Sequence, residues 1–357
     1  MKWLNKLLYF SNKNSNKSEY NLSENEIQKI QYCLSVSKNE NGFLALLNDK
    51  KFFFYPEDSE NCCFIMYGEK GTSYIAMGDP IGYEEFFEKA IYEFKNFCKK
   101  NEKKCIFYEV DHPYIGNYLK NNMIISKIGE RGKIMLNDFT LEGSDMRKLR
   151  YSYTHLKKDN YTFKVISKNN NSSIIQTLSD ISKEWLKRKN AAEKKFSIGH
   201  FNEEYIKNFD IGVVEKNGEI IAFTTLFGTP NRECLTLDLM RHRSNLENGV
   251  MEFFFVSLIL YAKENNYESF SLGIVPLSGI DKHILTPYKS MEHFIFNHEK
   301  HFYNFKGLKL FKDKFKPEWE PVYITYAGHL IFPLVLKDIV SLTSGGIVSA
   351  IHKIEKS

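Results

Sequence analysis

Asp238 and Arg241 stand three residues apart at the end of an apolar run, Cys234 to Met240, where a strand would open toward a helix. A carboxylate placed there can hold an ammonium group or accept a proton, and a guanidinium can neutralise phosphate or a developing negative charge. The plain alternative is a local salt bridge at a strand end. Beyond them runs Arg243-Ser244-Asn245-Leu246-Glu247-Asn248-Gly249. A pyrophosphate-binding loop at this point needs glycines that let backbone N–H groups at a helix N-terminus reach the phosphates. Here that spacing is missing, and Glu247 would repel phosphate. Asn248 is a residue type that caps helices.

Lys306, Lys309, Lys312, Lys314 and Lys316 form a basic run interrupted by Asp313. Such a run suits contact with an anionic substrate or serves as a solvated helix face. Gly78-Asp79-Pro80-Ile81-Gly82 could cradle phosphate, but its residue types fit a turn better. Glu299 with His283, His293, His298 and His301 has no metal-ligand spacing, and Cys33, Cys62, Cys63, Cys98, Cys105 and Cys234 contain no C-x-x-C pair. We therefore expect reduced thiols and no metal.

These residues need a scaffold. Ile211 to Glu215, Asn217-Gly218 and Ile220 to Phe227 read as a β-hairpin, with Cys234 to Met240 as a third strand. An almost wholly apolar helix, Val250 to Asn266, and a strand, Ser269 to Val275, follow. Antiparallel strands leading into a strand–helix–strand crossover is the order of GNAT-type acyltransferases. The first half repeats it, with strand-like runs at Phe43 to Leu47, Lys51 to Tyr55, Cys62 to Tyr67 and Ser73 to Met77. A helix from Tyr83 to Lys100 and a strand from Cys105 to Val110 complete that copy. The expected architecture is α/β, with two tandem GNAT-like (acyl-CoA N-acyltransferase) domains. Its divisions are a short basic and apolar segment at 1–20, a first domain at 21–140, a basic linker at 141–168, a second, catalytic domain at 169–326 and an apolar C-terminal helix at 327–357.

Three runs carry a specific resemblance: Leu237 to Arg241, Asn248 to Phe255, and Leu272 to Gly279. With them go Trp185, Glu193 to Phe201 (EKKFSIGHF), Gly78 to Gly82 and Phe302 to Pro321, in one order over roughly residues 40 to 345. Together they resemble the catalytic domain of the aminoacyl-phosphatidylglycerol synthases, the phosphatidylglycerol lysyltransferases and their alanyl relatives. The resemblance implies transfer of an amino acid, lysine being the commonest donor, from aminoacyl-tRNA to the glycerol hydroxyl of phosphatidylglycerol in the inner leaflet. It implies a lower negative membrane charge and resistance to cationic antimicrobial peptides. It also implies catalytic roles for Asp238 and Arg241 and substrate contacts from Asn248, Gly249, Ser278, Lys312 and Lys314.

Such an ester exchange starts from an activated donor and needs no metal or organic cofactor. It needs alignment, proton removal and a stabilised oxyanion. For tRNA we expect the linker residues Arg147, Lys148, Arg150, Lys157 and Lys158, because a net charge of +5 is too small to act except through clusters. With 43% hydrophobic and 26% charged residues the chain should fold. Met1 to Phe10 is too short and broken to span a bilayer, and no signal-peptide cleavage site follows. Trp3, Leu4, Leu7, Leu8 and Phe10 suit a short interfacial helix of a peripheral membrane protein. Two other readings remain open: aminoacyl transfer to a peptide or a different lipid, and a non-catalytic module that binds membrane or tRNA.

Overall fold

A computed structural model describes residues 22–189, 193–280, 299–328 and 332–343. The interfacial segment expected before residue 18, His283, His293 and His298, and the apolar run from residue 344 onward lie outside them, as does the side chain of His301.

The chain enters through α1 (Glu24–Val36), whose start is fixed by a reciprocal cap: Glu26 N–H donates to Ser23 Oγ and Ser23 N–H to Glu26 Oε2. A 3-10 helix, Glu40–Leu47, follows where a strand was expected at Phe43 to Leu47. A short apolar run buried on most sides satisfies either state. The Asn39 side chain accepts from Asn41 N–H at one end and Asn48 turns left-handed at the other, so the helix wins. Next come β1 (Lys51–Tyr55), β2 (Cys63–Lys70), β3 (Ser73–Met77) and the two-residue β4 (Ile81–Gly82). The amphipathic α2 (Phe87–Lys100) then crosses to β5 (Lys104–Asp111), parallel to β3, and α3 (Ile115–Lys120) closes this half.

A long strand, β6 (Met123–Met135), leads to α4 (Arg147–Lys158) and β7 (Tyr161–Ile166), which occupy the basic segment at 141–168. The second half continues with α5 (Ile175–Lys189), the single turn α6 (Glu203–Ile206), β8 (Asp210–Lys216), β9 (Glu219–Gly228) and β10 (Cys234–His242). Helix α7 (Val250–Glu264) then crosses to β11 (Ser269–Pro276), parallel to β10. Helix α8 (Glu299–Asp313), strand β12 (Glu318–Ala327) and helix α9 (Phe332–Thr343) follow.

The strand–helix–parallel strand unit thus occurs twice, as β3–α2–β5 and β10–α7–β11, in the α/β, GNAT-like arrangement expected. The sequence pattern did not show how the halves join. β12 returns from the end of the chain to lie between β5 and β6, and β6 pairs with β11, so one sheet runs β1-β2-β3-β5-β12-β6-β11-β10-β9-β8-β7. Pro321 sits inside β12, and a proline in a run argues against a central strand, so the sequence conceals this one. An apolar cluster on one face of the sheet draws on both halves, with Ile30, Met66 and Ile106 packed in the same core as Phe223, Phe227 and Leu239. Helices α4 and α7 cover the second half on the opposite face, and α2 and α3 cover the first.

Gly129 lies at the join, opposite Val322 on one side and Pro276 on the other. A Cβ there would stand 2.5 Å from Val275 O and 3.1 Å from Pro276 Cα, both backbone atoms that cannot swing away. Gly129→Ala should cost about 1–3 kcal/mol, the usual range for forced overpacking, read as a lower urea midpoint. An unchanged midpoint would show that the join has slack.

Candidate functional site

β10 and β11 pair only from Cys234 to Thr236 and from Ser269 to Ser271. Beyond Thr236, β10 continues against β9 alone, and beyond Ser271, β11 continues against β6 alone, so the sheet forks. Both arms are irregular just past the parting, between Leu237 and Met240 on one and between Ser271 and Ile274 on the other. Such bulges re-aim side chains. Asp238 sits in the first, where the next N–H, of Leu239, donates to Thr225 Oγ1 at 3.0 Å. Gly273, with φ +74°, sits in the second.

The Asp238 carboxylate accepts from Gly199 N–H at 2.7 Å and from the Tyr205 hydroxyl at 2.9 Å. Burial raises its pKa, while those two bonds and the charges of Lys50 and Arg241 oppose the rise. The approach to residue 199 is so close that a Cβ there would lie 1.8 Å from Asp238 Oδ2. Arg241, also on β10 and 7% exposed, donates to Glu193 Oε2 and to Met240 O, both at 2.8 Å. Its guanidinium carbon lies 4.3 Å from the centre of the Trp185 ring, a cation–π stack supplied by α5. Glu193 also receives Phe201 N–H, so both its oxygens are used. The Arg241 Nε–H is buried and has no hydrogen-bond partner among the described residues, leaving a donor for a ligand oxygen. The EKKFSIGHF segment thus serves both residues, through Glu193 and Gly199.

The basic run splits by direction. Lys312, in the last turn of α8 and 6% exposed, places Nζ 3.0 Å from Gly273 O and 3.2 Å from Ile274 O, on the second arm of the fork. Burial, helped by the nearby Arg131 charge, pushes its pKa down to about 7. A neutral amine that donates two protons to carbonyls keeps a lone pair free to accept a third. Lys314 instead pairs with Glu252 of α7 at 2.6 Å, Lys316 with Asp145 at 2.5 Å, and Lys309 lies 3.5 Å over the Trp319 ring. Ser278 is buried and donates to Glu130 Oε2 at 2.5 Å, and Glu130 also pairs with Lys127. Asn248 is exposed and does not cap α7. Gly249, at φ +91°, occupies the cap position without a side chain, because the chain must turn left-handed to enter the helix beside Ser152 of α4.

On α4, Arg147, Lys148, Lys157 and Lys158 are exposed, whereas Arg150 turns inward to the carbonyls of Leu141 and Gly143. Asp79 of the Gly78 to Gly82 loop is buried, accepting from Asp111 N–H and the Tyr118 hydroxyl, both at 2.9 Å, so this loop is a locked turn. Nothing in the sequence singled out Lys50, Tyr205 or the pair of buried Arg131 with half-buried Asp111, near which Glu40 and Glu109 add negative charge. Glu109 has φ +67° and, by burial, a pKa raised to about 7. Among the described residues no group of three or more His, Cys, Asp or Glu could hold a metal ion, no helix is long and apolar enough to cross a membrane, and all six thiols are free.

Comparison with known proteins gives a family model described as phosphatidylglycerol lysyltransferase, C-terminal, which matches residues 31–326. The phosphatidylglycerol lysyltransferase of Staphylococcus xylosus is 34% identical over 313 residues, 86% of this chain and 37% of that one. The enzyme of the same name from Bacillus subtilis (strain 168) is 32% identical over 82% of this chain and 34% of its own. The chain therefore spans about a third of the length of these relatives. Among solved structures, a C-terminal DUF2156 domain from Agrobacterium fabrum superposes with a TM-score of 0.81 at 33% identity, covering 90% of this chain and 97% of that one. L-PGS from Bacillus licheniformis gives 0.75 at 28%, covering 89% and 96%. FemX, at 0.55 and 10% identity over 89% and 98%, shares the fold.

The Lys312 shift has a thermodynamic signature. Below pH 7 the ammonium is charged in folded and unfolded chains alike. Above about 7 the folded chain releases the proton, and the unfolded one keeps it until its ordinary value of 10.5, so stability rises across that window. Lys312→Met should flatten the rise by roughly 1 kcal/mol per pH unit relative to wild type, measured by urea unfolding between pH 7 and 10. Parallel curves would mean that the amine is not buried as described.

Proposed function

The chain belongs to the phosphatidylglycerol lysyltransferase C-terminal family, and from that premise we propose that it transfers an aminoacyl group, lysyl first among candidates, from tRNA to phosphatidylglycerol. The observation that carries this reading is the fork itself. A carboxylate and a guanidinium with a free donor stand on one arm, and an amine near neutrality reaches the other. The first helical turn beside it offers Glu252, and Glu247 precedes it, which disfavours a coenzyme A pyrophosphate there.

In this mechanism Asp238 holds the α-ammonium of the aminoacyl group, and the Arg241 Nε–H faces the lipid phosphate or the developing oxyanion. The glycerol hydroxyl attacks the ester carbonyl and gives its proton to the Lys312 amine. The tetrahedral intermediate collapses by breaking the bond to the ribose oxygen, which takes that proton. One ester bond forms and one breaks, so no cofactor is required. The exposed Arg147, Lys148, Lys157 and Lys158 of α4 supply phosphate contacts for the tRNA. The product carries extra positive charge, which would lower the negative charge of the inner leaflet where a peripheral enzyme works and favour resistance to cationic antimicrobial peptides.

Purified protein given phosphatidylglycerol vesicles and charged lysyl-tRNA should form an aminoacyl lipid that RNase pretreatment abolishes, without ATP or coenzyme A. Product from free lysine, or product insensitive to RNase, would overturn the reading, and product confined to the aqueous phase would move the acceptor from lipid to peptide. Asp238→Ala and Arg241→Ala should each slow turnover by about 10² or more in protein that is still folded, as loss of one charge-stabilising group in a sheltered site does. Each should also lower the Tm, because buried partners are left unpaired. Near-wild-type turnover in either variant removes that residue from the chemistry.

Replacing Arg147, Lys148 and Lys158 together with Ala should raise KM for tRNA and flatten its salt dependence while leaving kcat in place. Each phosphate that is no longer neutralised should reduce the logarithmic salt slope by roughly 0.7–0.9. An unchanged slope would place the tRNA elsewhere.

A further inference from the structure

We propose that Asp49 and Lys50, contributed by the first half of the chain, are positioning residues that clamp the 193–201 segment so that Gly199 meets Asp238. The inference rests on the functional reading above for its catalytic consequence, though its geometry stands alone.

Lys50 is 0% exposed. An ammonium group is rarely taken wholly out of water unless it is paired, because its lost hydration must be replaced. Its partners are Asp49 Oδ1 at 2.6 Å and Leu44 O at 3.3 Å, and its Nζ lies 5.5 Å from the centre of the Phe196 ring. The second Asp49 oxygen accepts from Phe196 N–H at 3.3 Å. One adjacent Asp–Lys pair therefore grips Phe196 by its backbone and by its ring.

Phe196 needs gripping. It is buried and has φ +74°, a conformation that a bulky aromatic residue adopts only when its surroundings impose it. Three residues on, Gly199 donates its N–H to Asp238, and three residues back, Glu193 binds Arg241. The segment is fastened a third time by Lys195 N–H to Thr343 O of α9. Phe196 is thus the strained midpoint of a strap whose two ends hold the two residues proposed for catalysis. The clamp on that midpoint comes from beyond the second half.

Lys50 also acts through charge. The groups facing Asp238 are Gly199 N–H from the strap, the Tyr205 hydroxyl from α6, Arg241 from its own strand and Lys50. Of these, Lys50 and Arg241 are the cations that favour the carboxylate against burial. Losing the Lys50 charge raises the Asp238 pKa, and losing the paired Asp49 charge opposes that rise. Lys50 is the stronger influence, so the acid limb of the rate profile of a variant lacking both should still move to higher pH.

The test compares the Asp49→Asn/Lys50→Met double variant, which leaves no unpaired buried charge, with Lys50→Arg, which keeps the cation. Amide hydrogen exchange on the full chain is read at Phe196 and Gly199, alongside steady-state kinetics across pH. The double variant should exchange at least about 10-fold faster at both amides and lose about 10- to 100-fold in kcat, a cost typical of slight misplacement. Its KM for charged tRNA should hold while its acid limb moves up. Lys50→Arg should recover much of the protection and the wild-type limb. Unchanged exchange in the double variant, or faster exchange with wild-type kcat and pH profile, overturns the proposal. If wild-type protein forms no aminoacyl lipid, the functional reading falls and the exchange data alone decide the clamp. Should the double variant fail to fold, Asp49→Asn by itself reads the same two amides, with unchanged exchange again the overturning result.

Discussion

Two parallel strands that part must find other partners for the polar groups their ladder no longer serves, because a buried backbone donor or acceptor left alone is costly. The fork between β10 and β11 meets this demand with side chains: Thr225 Oγ1 takes the Leu239 N–H, and Lys312 serves the carbonyls of Gly273 and Ile274. The consequences set the character of the site. Lys312 satisfies the arm only by leaving water, and leaving water is what brings its pKa to about 7. The bulge that ends the ladder on the other arm turns Asp238 toward Gly199 and Tyr205. The amine that the candidate site presents is thus the one that satisfies the backbone of this arm.

An open fork needs both arms held apart. β9 holds one, and β6 holds the other, itself braced by β12. Since β12 also pairs with β5, the second arm is tied to the sheet of the first half, and an apolar core common to both halves lies on the face where Asp238 and Arg241 meet their partners. This gives the first half a role that its lack of recognisable catalytic motifs conceals. Its sheet braces the fork, and its Asp49 and Lys50 hold Phe196 in the segment whose Gly199 binds Asp238.

Polar and charged groups around the candidate site are mostly committed. Glu193 spends both oxygens, Ser278 is tied to Glu130, Lys314 to Glu252, and Arg150 to two backbone carbonyls. A residue type suited to substrate contact is therefore no guide to its availability. Lys312 and Lys314, two positions apart and alike in sequence, differ completely: one enters the fork and the other makes a surface ion pair. The free donor on Arg241 is informative because its neighbours are spoken for.

The sequence by itself determined what depends on near neighbours. Asn217-Gly218 set the β8–β9 turn, the almost wholly apolar run set the buried α7, and short apolar runs set β3, β10 and β11 to within two residues and β2 to within three, since turn chemistry and local apolar patterning act over a few positions. The ordered runs also identified the family and placed Asp238 on the third strand with Arg241 just past it, and the structure carries that strand on through Arg241. Local signals failed where burial decides. Phe43 to Leu47 suits helix or strand, Asn248 looks like a cap beside a glycine that takes its place, and Pro321 hides a central strand. Tertiary structure alone decided that β12 would return to the first half, that the sheet would fork at Thr236, and that Asp49, 147 positions before Phe196, would accept its N–H. Those outcomes depend on which surfaces lose water together, and desolvation is a property of the packed whole that no short stretch of residues carries.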